Sequence, residues 1–224
     1  MMIILVRHGE ATHHTNKLTG GWTDSVLTEK GKRQLTAAAK KLACDFSDRY
    51  AKVRILSSDL QRAVESAEII AGALKTSSPV EKYLFLREKN NGTAAGLTEE
   101  EAKKIYCRPA TEQELDHRNY PGGETRNEFY QRNIAGLLQH TDPEKENLII
   151  VAHKGTIQNI IFYWLGMDMP QVVEKNFSVD IQPASISVLG TNKWHEHTIF
   201  RLNDISHLTN GKGFGVFDFK SEKR

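Results

Sequence analysis

Two short apolar runs, far apart in the chain, end in the same way. Residues 2–6 read Met-Ile-Ile-Leu-Val and lead into Arg7-His8-Gly9-Glu10. Residues 148–152 read Leu-Ile-Ile-Val-Ala and lead into His153-Lys154-Gly155. Continuous β-branched runs of this length are the pattern of strands covered on both faces, as in a parallel sheet. In an open α/β sheet, ligands sit beyond the carboxyl ends of the strands. Two imidazoles and a guanidinium are therefore delivered to one rim, provided both strands share a sheet. Arginine offers a planar fork of donors matched to phosphate oxygens. A neutral histidine offers a nitrogen that can carry a phosphoryl group as a covalent intermediate.

The segments between these runs extend the same architecture. Residues 53–57 read as a second strand, 80–86 as a third, and 184–189 and 198–202 as late strands. Helical patterns alternate with them. One starts at Thr28, with a stripe of Leu35, Ala38, Ala39 and Leu42. A second is capped by Ser58 or Asp59 and buries Leu60, Ala63, Ala67, Ile70 and Ala71. Thr98 begins a third with capping-box character. Residues 124–138 and 155–165 are two more, and Phe162, Tyr163 and Trp164 read as packing residues of the last. This alternation predicts an α/β fold with a mainly parallel sheet and helices on both faces. No repeat or linker divides the 224 residues, so 1–224 reads as a single domain. The Gly-, Pro- and charge-rich stretch 90–123 reads as an excursion over the site.

Composition narrows the class of function. With 39% hydrophobic and 26% charged residues, the chain has the make-up of a soluble globular protein. A net charge of +2 makes no general case for nucleic-acid or membrane partners. No apolar run is long enough to span a bilayer, and the first run is too short for a signal peptide. A cytoplasmic location is the expectation, and the last five residues, 220–224, read as a frayed end. Cys44 and Cys107 lack disulfide or metal-ligand spacing and read as free thiols. His13-His14 and His195-Glu196-His197 lack the further ligands that a metal site needs, so no metal is expected.

Two further segments bear on chemistry. Ser57-Ser58-Asp59-Leu60-Gln61-Arg62 puts Arg62 in the first turn of a helix, where backbone N–H groups favour anions. Alone it reads as a solvated arginine; beside Arg7 it becomes a second clamp on one phosphate. Glu88 follows the apolar end of 80–86. It can protonate a leaving oxygen and later activate water, or it is a surface carboxylate between Arg87 and Lys89. The residues alone leave these two balanced.

Taken together, these segments resemble the histidine phosphatase superfamily, in its phosphoglycerate mutase-like branch. The resemblance runs through Arg7-His8-Gly9-Glu10, Gly21-Trp22-Thr23-Asp24-Ser25-Val26-Leu27-Thr28, Gly31 and residues 57–63. It continues through Glu88, Gly122-Gly123-Glu124-Thr125 and His153-Lys154-Gly155. It implies a three-layer α/β/α fold and phosphoryl transfer without metal or other cofactor. His8 would be the nucleophile, Arg7, Arg62 and His153 the phosphoryl ligands, and Glu88 the acid/base. Gly21 would lie at the phosphate too. His14 stands where the family often has asparagine, with Asn16 as the alternative in a shifted loop. Lys154 replaces a common glycine and either adds affinity or faces solvent. The expected activity is that of a histidine acid-type phosphatase acting on a small phosphorylated metabolite. A phosphoglycerate mutase and a non-catalytic phosphate-binding module are the alternatives, and a homodimer is allowed. Lys89, Arg108, Arg118 and Lys154 are candidates for holding a second anionic group of the substrate.

Overall fold

The computed structural model describes residues 1–45, 53–76, 79–111 and 114–209. The expectation for residues 220–224 lies outside them. In chain order the elements are β1 (Met2–Arg7), α1 (Thr12–Thr15), α2 (Glu29–Asp45), β2 (Arg54–Ser58), α3 (Gln61–Leu74) and β3 (Val80–Tyr83). Then come α4 (Glu99–Lys104), α5 (Arg126–His140), β4 (Asn147–Ala152), α6 (Lys154–Trp164), α7 (Met169–Glu174), β5 (Ile186–Thr191) and β6 (His197–Asp204).

The six strands form one sheet in the order β3-β2-β4-β1-β5-β6. The first four are mutually parallel; β5 pairs antiparallel with β1, and β6 antiparallel with β5. Period-two alternation sends neighbouring residues of each strand to opposite faces. Ile3, Leu5, Leu148 and Ile150 pack under α5 and α6 with Ile134, Leu137, Ile157 and Trp164. Ile4, Val6, Ile149 and Val151 pack under α2 and α3 with Leu35, Ala38, Leu42 and Ile70. The result is a three-layer α/β/α sandwich with a mainly parallel sheet. The β1–β4 register pairs Arg7 with Ala152, and His8 N–H donates to the Ala152 carbonyl at 3.0 Å. That register fixes His8 and His153 side by side at one edge.

Two local expectations are corrected. The strand expected over 80–86 stops at Tyr83, and Leu84–Leu86 form a 3-10 turn. The carbonyls of this turn bond to side chains of α5 instead of a strand: Asn133 Nδ2 and Arg132 Nη1 both donate to the Phe85 carbonyl, at 2.5 and 2.9 Å. Helix α3 is preceded by Leu60, with no side-chain cap. Ser58 Oγ accepts only the Leu60 N–H at 3.3 Å, and Asp59 is engaged by Arg87. By contrast, Thr28 caps α2 through the Gly31 N–H at 3.0 Å, and Thr98 forms a capping box with Glu101. Cys44 and Cys107 are free and exposed. Among the described residues, no helix is long and apolar enough to cross a membrane.

Stretch 90–123 contains a 3-10 turn at Gly92–Ala94 and the short helix α4. It docks on the loop after α1: the Thr19 N–H donates to the Leu97 carbonyl at 2.9 Å, and the Gly96 N–H to Thr23 Oγ1 at 2.7 Å.

Candidate active site

His8 is 3% exposed, just past the end of β1. Its Nδ1 lies 2.7 Å from the Gly9 carbonyl. A carbonyl only accepts, so Nδ1 carries the proton and Nε2 keeps its lone pair. Arg62 Nε donates toward that Nε2 at 3.4 Å. Burial first, then the charges of Arg62 and Arg7 and the neighbouring His153, push the His8 pKa well below its ordinary 6.5. The ring is therefore neutral at physiological pH, with its nucleophilic nitrogen facing a guanidinium.

Arg62 enters from the first turn of α3 and is 1% exposed. Three polar atoms of the loop before α2 hold its outer edge. Nη1 donates to the Thr23 carbonyl at 2.5 Å and Nη2 to the Gly21 carbonyl at 2.8 Å. Ser25 Oγ lies 3.4 Å from Nη1. Gly21 adopts φ +66°, a left-handed conformation that costs glycine nothing, and so its carbonyl reaches the guanidinium. Burial lowers the Arg62 pKa to about 10, which leaves it charged at neutral pH. Arg7 anchors Nη1 on the Ile181 carbonyl at 2.6 Å.

His153 is 1% exposed, and its ring centroid is 5.0 Å from that of His8. Both of its ring nitrogens and Arg7 Nε are buried without a hydrogen-bond partner among the described residues. Burial, then the two arginines, holds His153 neutral as well. Buried polar atoms without partners are rare in native proteins and mark functional sites when they cluster. They lie beside the lone-pair nitrogen of His8 in a field of two cations, and an oxyanion there accepts from Arg7 Nε and from the protonated nitrogen of the neutral His153 ring.

Glu88 supplies the carboxylate. Its Oε1 accepts the Lys89 N–H at 2.9 Å, and its Oε2 accepts the Gly155 N–H at 3.0 Å, in the first turn of α6. A Cβ at position 155 would collide with Glu88 Oε1, so the glycine allows the close approach. The main chain of Glu88 is also clamped. Its carbonyl accepts Trp22 Nε1 at 2.8 Å and Arg132 Nη2 at 3.0 Å. Arg132 bonds the Leu84, Phe85 and Arg87 carbonyls too, and pairs with Glu124 through Nε and Nη2 at 2.6 and 2.8 Å. Arg87 lies over the Trp22 ring at 4.7 Å and is held by both oxygens of Asp59.

The structure thus brings together Arg7, His8, Arg62, His153 and Glu88, while other candidates fall elsewhere. Gly21 lies behind Arg62 and supports it. His14 stacks on His8 at 5.8 Å between centroids, at the rim. Its Nδ1 accepts the Ala11 N–H at 3.1 Å, and loss of solvation first, then the charges of Arg7 and Arg62, lowers its pKa to about 4. Asn16 is the exposed residue that ends α1, with the Thr15 hydroxyl at 3.4 Å, and is not drawn into the cluster. Lys154 lies 3.3 Å from Asp180 and lines a cavity beside Glu88 and Gly155.

Three residues escape the sequence reading. His13 is buried, and its Nδ1 lies 2.8 Å from Ser25 Oγ, which ties it to the Arg62 support. Burial, then His14 and the arginines, lowers its pKa to about 3. Ser25 and Arg132 complete the scaffold. The His13-His14 dipeptide carried a signal for the first. Arg132 had none, since it sits in an amphipathic helix 44 residues from Glu88.

A buried imidazole, two arginines and a second imidazole at the carboxyl rim of an α/β/α sheet define a phosphoryl-handling class of protein. Comparison with known proteins agrees. The family model for the histidine phosphatase superfamily (branch 1) matches residues 3–205. The chain is 31% identical over 217 residues to phosphoglycerate mutase-like protein 4 of Arabidopsis thaliana, covering 92% of this chain and 86% of that one. It is 28% identical over 190 residues to the 2,3-bisphosphoglycerate-dependent phosphoglycerate mutase of Bartonella henselae, covering 80% and 88%. The crystal structure of an Entamoeba histolytica phosphoserine phosphatase mutant with phosphoserine superposes with a TM-score of 0.68 at 24% identity, covering 92% and 98%. The protein belongs to the histidine phosphatase superfamily.

Proposed function

We propose that this protein is a metal-independent phosphatase that hydrolyses small phosphomonoesters through a phosphohistidine on His8. One observation carries the reading: the bond from His8 Nδ1 to Gly9 leaves Nε2 unprotonated, with a guanidinium 3.4 Å away. In this mechanism the phosphoryl dianion lies among Arg7, Arg62 and His153, which neutralise charge on its equatorial oxygens. His8 Nε2 attacks phosphorus, and the bond to the ester oxygen breaks. Glu88, in its protonated form, gives that oxygen its proton and becomes a carboxylate. The carboxylate then takes a proton from water as the water oxygen attacks phosphorus. The Nε2–P bond breaks, inorganic phosphate leaves, and Glu88 is protonated again.

A panel of phosphorylated metabolites tests the reading. The expected result is phosphate release from at least one of them, lost in His8→Ala. No release from any, or full activity in His8→Ala, would remove it. A mutase reading draws on the name of the Bartonella henselae relative. A coupled assay with bisphosphoglycerate decides between them: isomerisation faster than hydrolysis would favour the mutase.

A further inference from the structure

The loop that holds Arg62 also reaches the Glu88 segment, through the side chain of Trp22. The carbonyls of Gly21 and Thr23 accept from the Arg62 guanidinium, and Asp24 Oδ1 accepts the Gln61 N–H at 3.0 Å, at the start of α3. Trp22 stands between those two carbonyls in the chain and sends its indole to Glu88 instead. Its Nε1 donates to the Glu88 carbonyl at 2.8 Å. The two backbones also meet there, since a Cβ on Gly21 would come within 2.7 Å of the Lys89 carbonyl.

The indole is itself held. Arg87 lies over its ring at 4.7 Å and Arg132 at 5.7 Å, and the ring quadrupole attracts both cations. Each arginine is anchored in turn. Arg87 bonds both oxygens of Asp59, two residues before α3, and Arg132 bonds Glu124 and the Glu88 carbonyl. The indole therefore packs against one cation tied to the start of α3 and another tied to the Glu88 main chain. Trp22 has no titrating group and no charge to offer a phosphoryl oxygen. What it supplies is the spacing between the helix start that carries Arg62 and the strand end that carries Glu88. An error of about 1 Å in such spacing costs on the order of 10²-fold in rate.

We propose that Trp22 is a positioning residue that fixes Glu88 relative to the phosphoryl clamp of Arg62, so that proton transfer to the leaving oxygen depends on it. The inference rests on the phosphatase reading and adds a residue that acts through Glu88 alone. It separates two kinds of ester. A nitrophenolate departs without a proton, whereas an alkoxide needs one from the acid. Loss of the Trp22 N–H therefore slows cleavage of alkyl esters selectively. Damage to Arg62 or to the fold slows both kinds alike.

Steady-state kinetics on the full chain tests it with p-nitrophenyl phosphate and an alkyl phosphate that the wild type hydrolyses. The readout is kcat/KM, which covers the steps through departure of the leaving group. Trp22→Phe keeps an aromatic face for the arginines and removes the N–H. The ratio of alkyl to nitrophenyl kcat/KM should fall about ten- to hundredfold in this variant. In Glu88→Gln the ratio is already low, and adding Trp22→Phe should lower it no further. Inhibition by inorganic phosphate, which reports the Arg62 clamp, should stay within about threefold of wild type. A ratio unchanged in Trp22→Phe would overturn this inference, as would a further fall in the double variant. Where the phenylalanine variant does not fold, Arg87→Leu removes the cation over the ring, and the same ratio, fallen or unchanged, decides. A wild type that hydrolyses no phosphomonoester would overturn the phosphatase reading and this inference with it.

Discussion

Replacing Arg132 by methionine removes the group that fixes the Glu88 segment while keeping the length of its aliphatic stem. The guanidinium spans four carbonyls, those of Leu84, Phe85, Arg87 and Glu88, and both oxygens of Glu124. The Arg132 and Glu124 side chains are each 16% exposed, so the pair is largely withdrawn from water. Breaking such a pair from one side costs about 3–5 kcal/mol when it is fully buried; with residual solvent contact we expect roughly 3 kcal/mol. In a protein of this size that lowers Tm by about 6–12 °C. The kinetic effect has a different origin. Glu88 keeps its side-chain bonds to Lys89 and Gly155 but loses one of two restraints on its carbonyl. A shift of about 1 Å at a catalytic group costs on the order of 10²-fold in kcat.

The assay is steady-state kinetics at a temperature where the variant remains folded, run beside Glu124→Gln. Glu124→Gln breaks the same ion pair and leaves the arginine on its carbonyls. Arg132→Met should lose kcat by about 10²-fold with KM little changed. Glu124→Gln should lose stability with less than about a fivefold loss in kcat. Equal kcat losses in both variants, or no kcat loss in Arg132→Met, would refute the positioning role.

Two further outcomes follow from the site. His8, His13 and His153 are each held below the ordinary histidine value of 6.5, so the unfolded chain binds more protons than the folded one just below that pH. Their contribution to stability is complete above pH 6.5 and is lost as pH falls. At pH 5.5 each histidine costs about 1.4 kcal/mol, roughly 4 kcal/mol in all. A urea midpoint that drops between pH 7.5 and 5.5 confirms this, and a midpoint that rises contradicts it. Gly155→Ala drives a methyl into Glu88 Oε1 and should lower kcat by about 10²-fold. Wild-type kcat in this variant, measured with folding verified by circular dichroism, would count against the Gly155–Glu88 contact.

Strand patterns made much of this molecule legible in advance. Residues 2–6 and 148–152 are so uniformly apolar that only a sheet covered on both faces accommodates them. His8 and His153 meet because a parallel register follows from that. Arg62 was visible as a cation at a helix start. What the sequence could not show is reach across the fold. Arg132 acts 44 residues from Glu88 by bonding to main-chain carbonyls, which leave no trace in residue identity. Glu88 reads from sequence equally as acid/base or surface carboxylate, because the Gly155 N–H that reaches its Oε2 lies 67 residues on. Lys154, beside His153, reads from sequence either as an added anion ligand or as a solvent-facing lysine, and only the fold shows its Nζ 3.3 Å from Asp180, at the cavity beside Glu88. The end of β3 at Tyr83 was hidden for a similar reason, since Leu84-Phe85-Leu86 reads as strand until α5 claims its carbonyls.

The most direct test of the central claim is a rapid-quench experiment with a hydrolysable phosphomonoester. The reaction is stopped in alkali, where phosphohistidine survives, and the digest is read by mass spectrometry. A phosphoryl group on the peptide containing His8, formed within one turnover and absent from His8→Asn, is the predicted result. Hydrolysis that proceeds with His8 unmodified, or with the label on His153, would contradict the account.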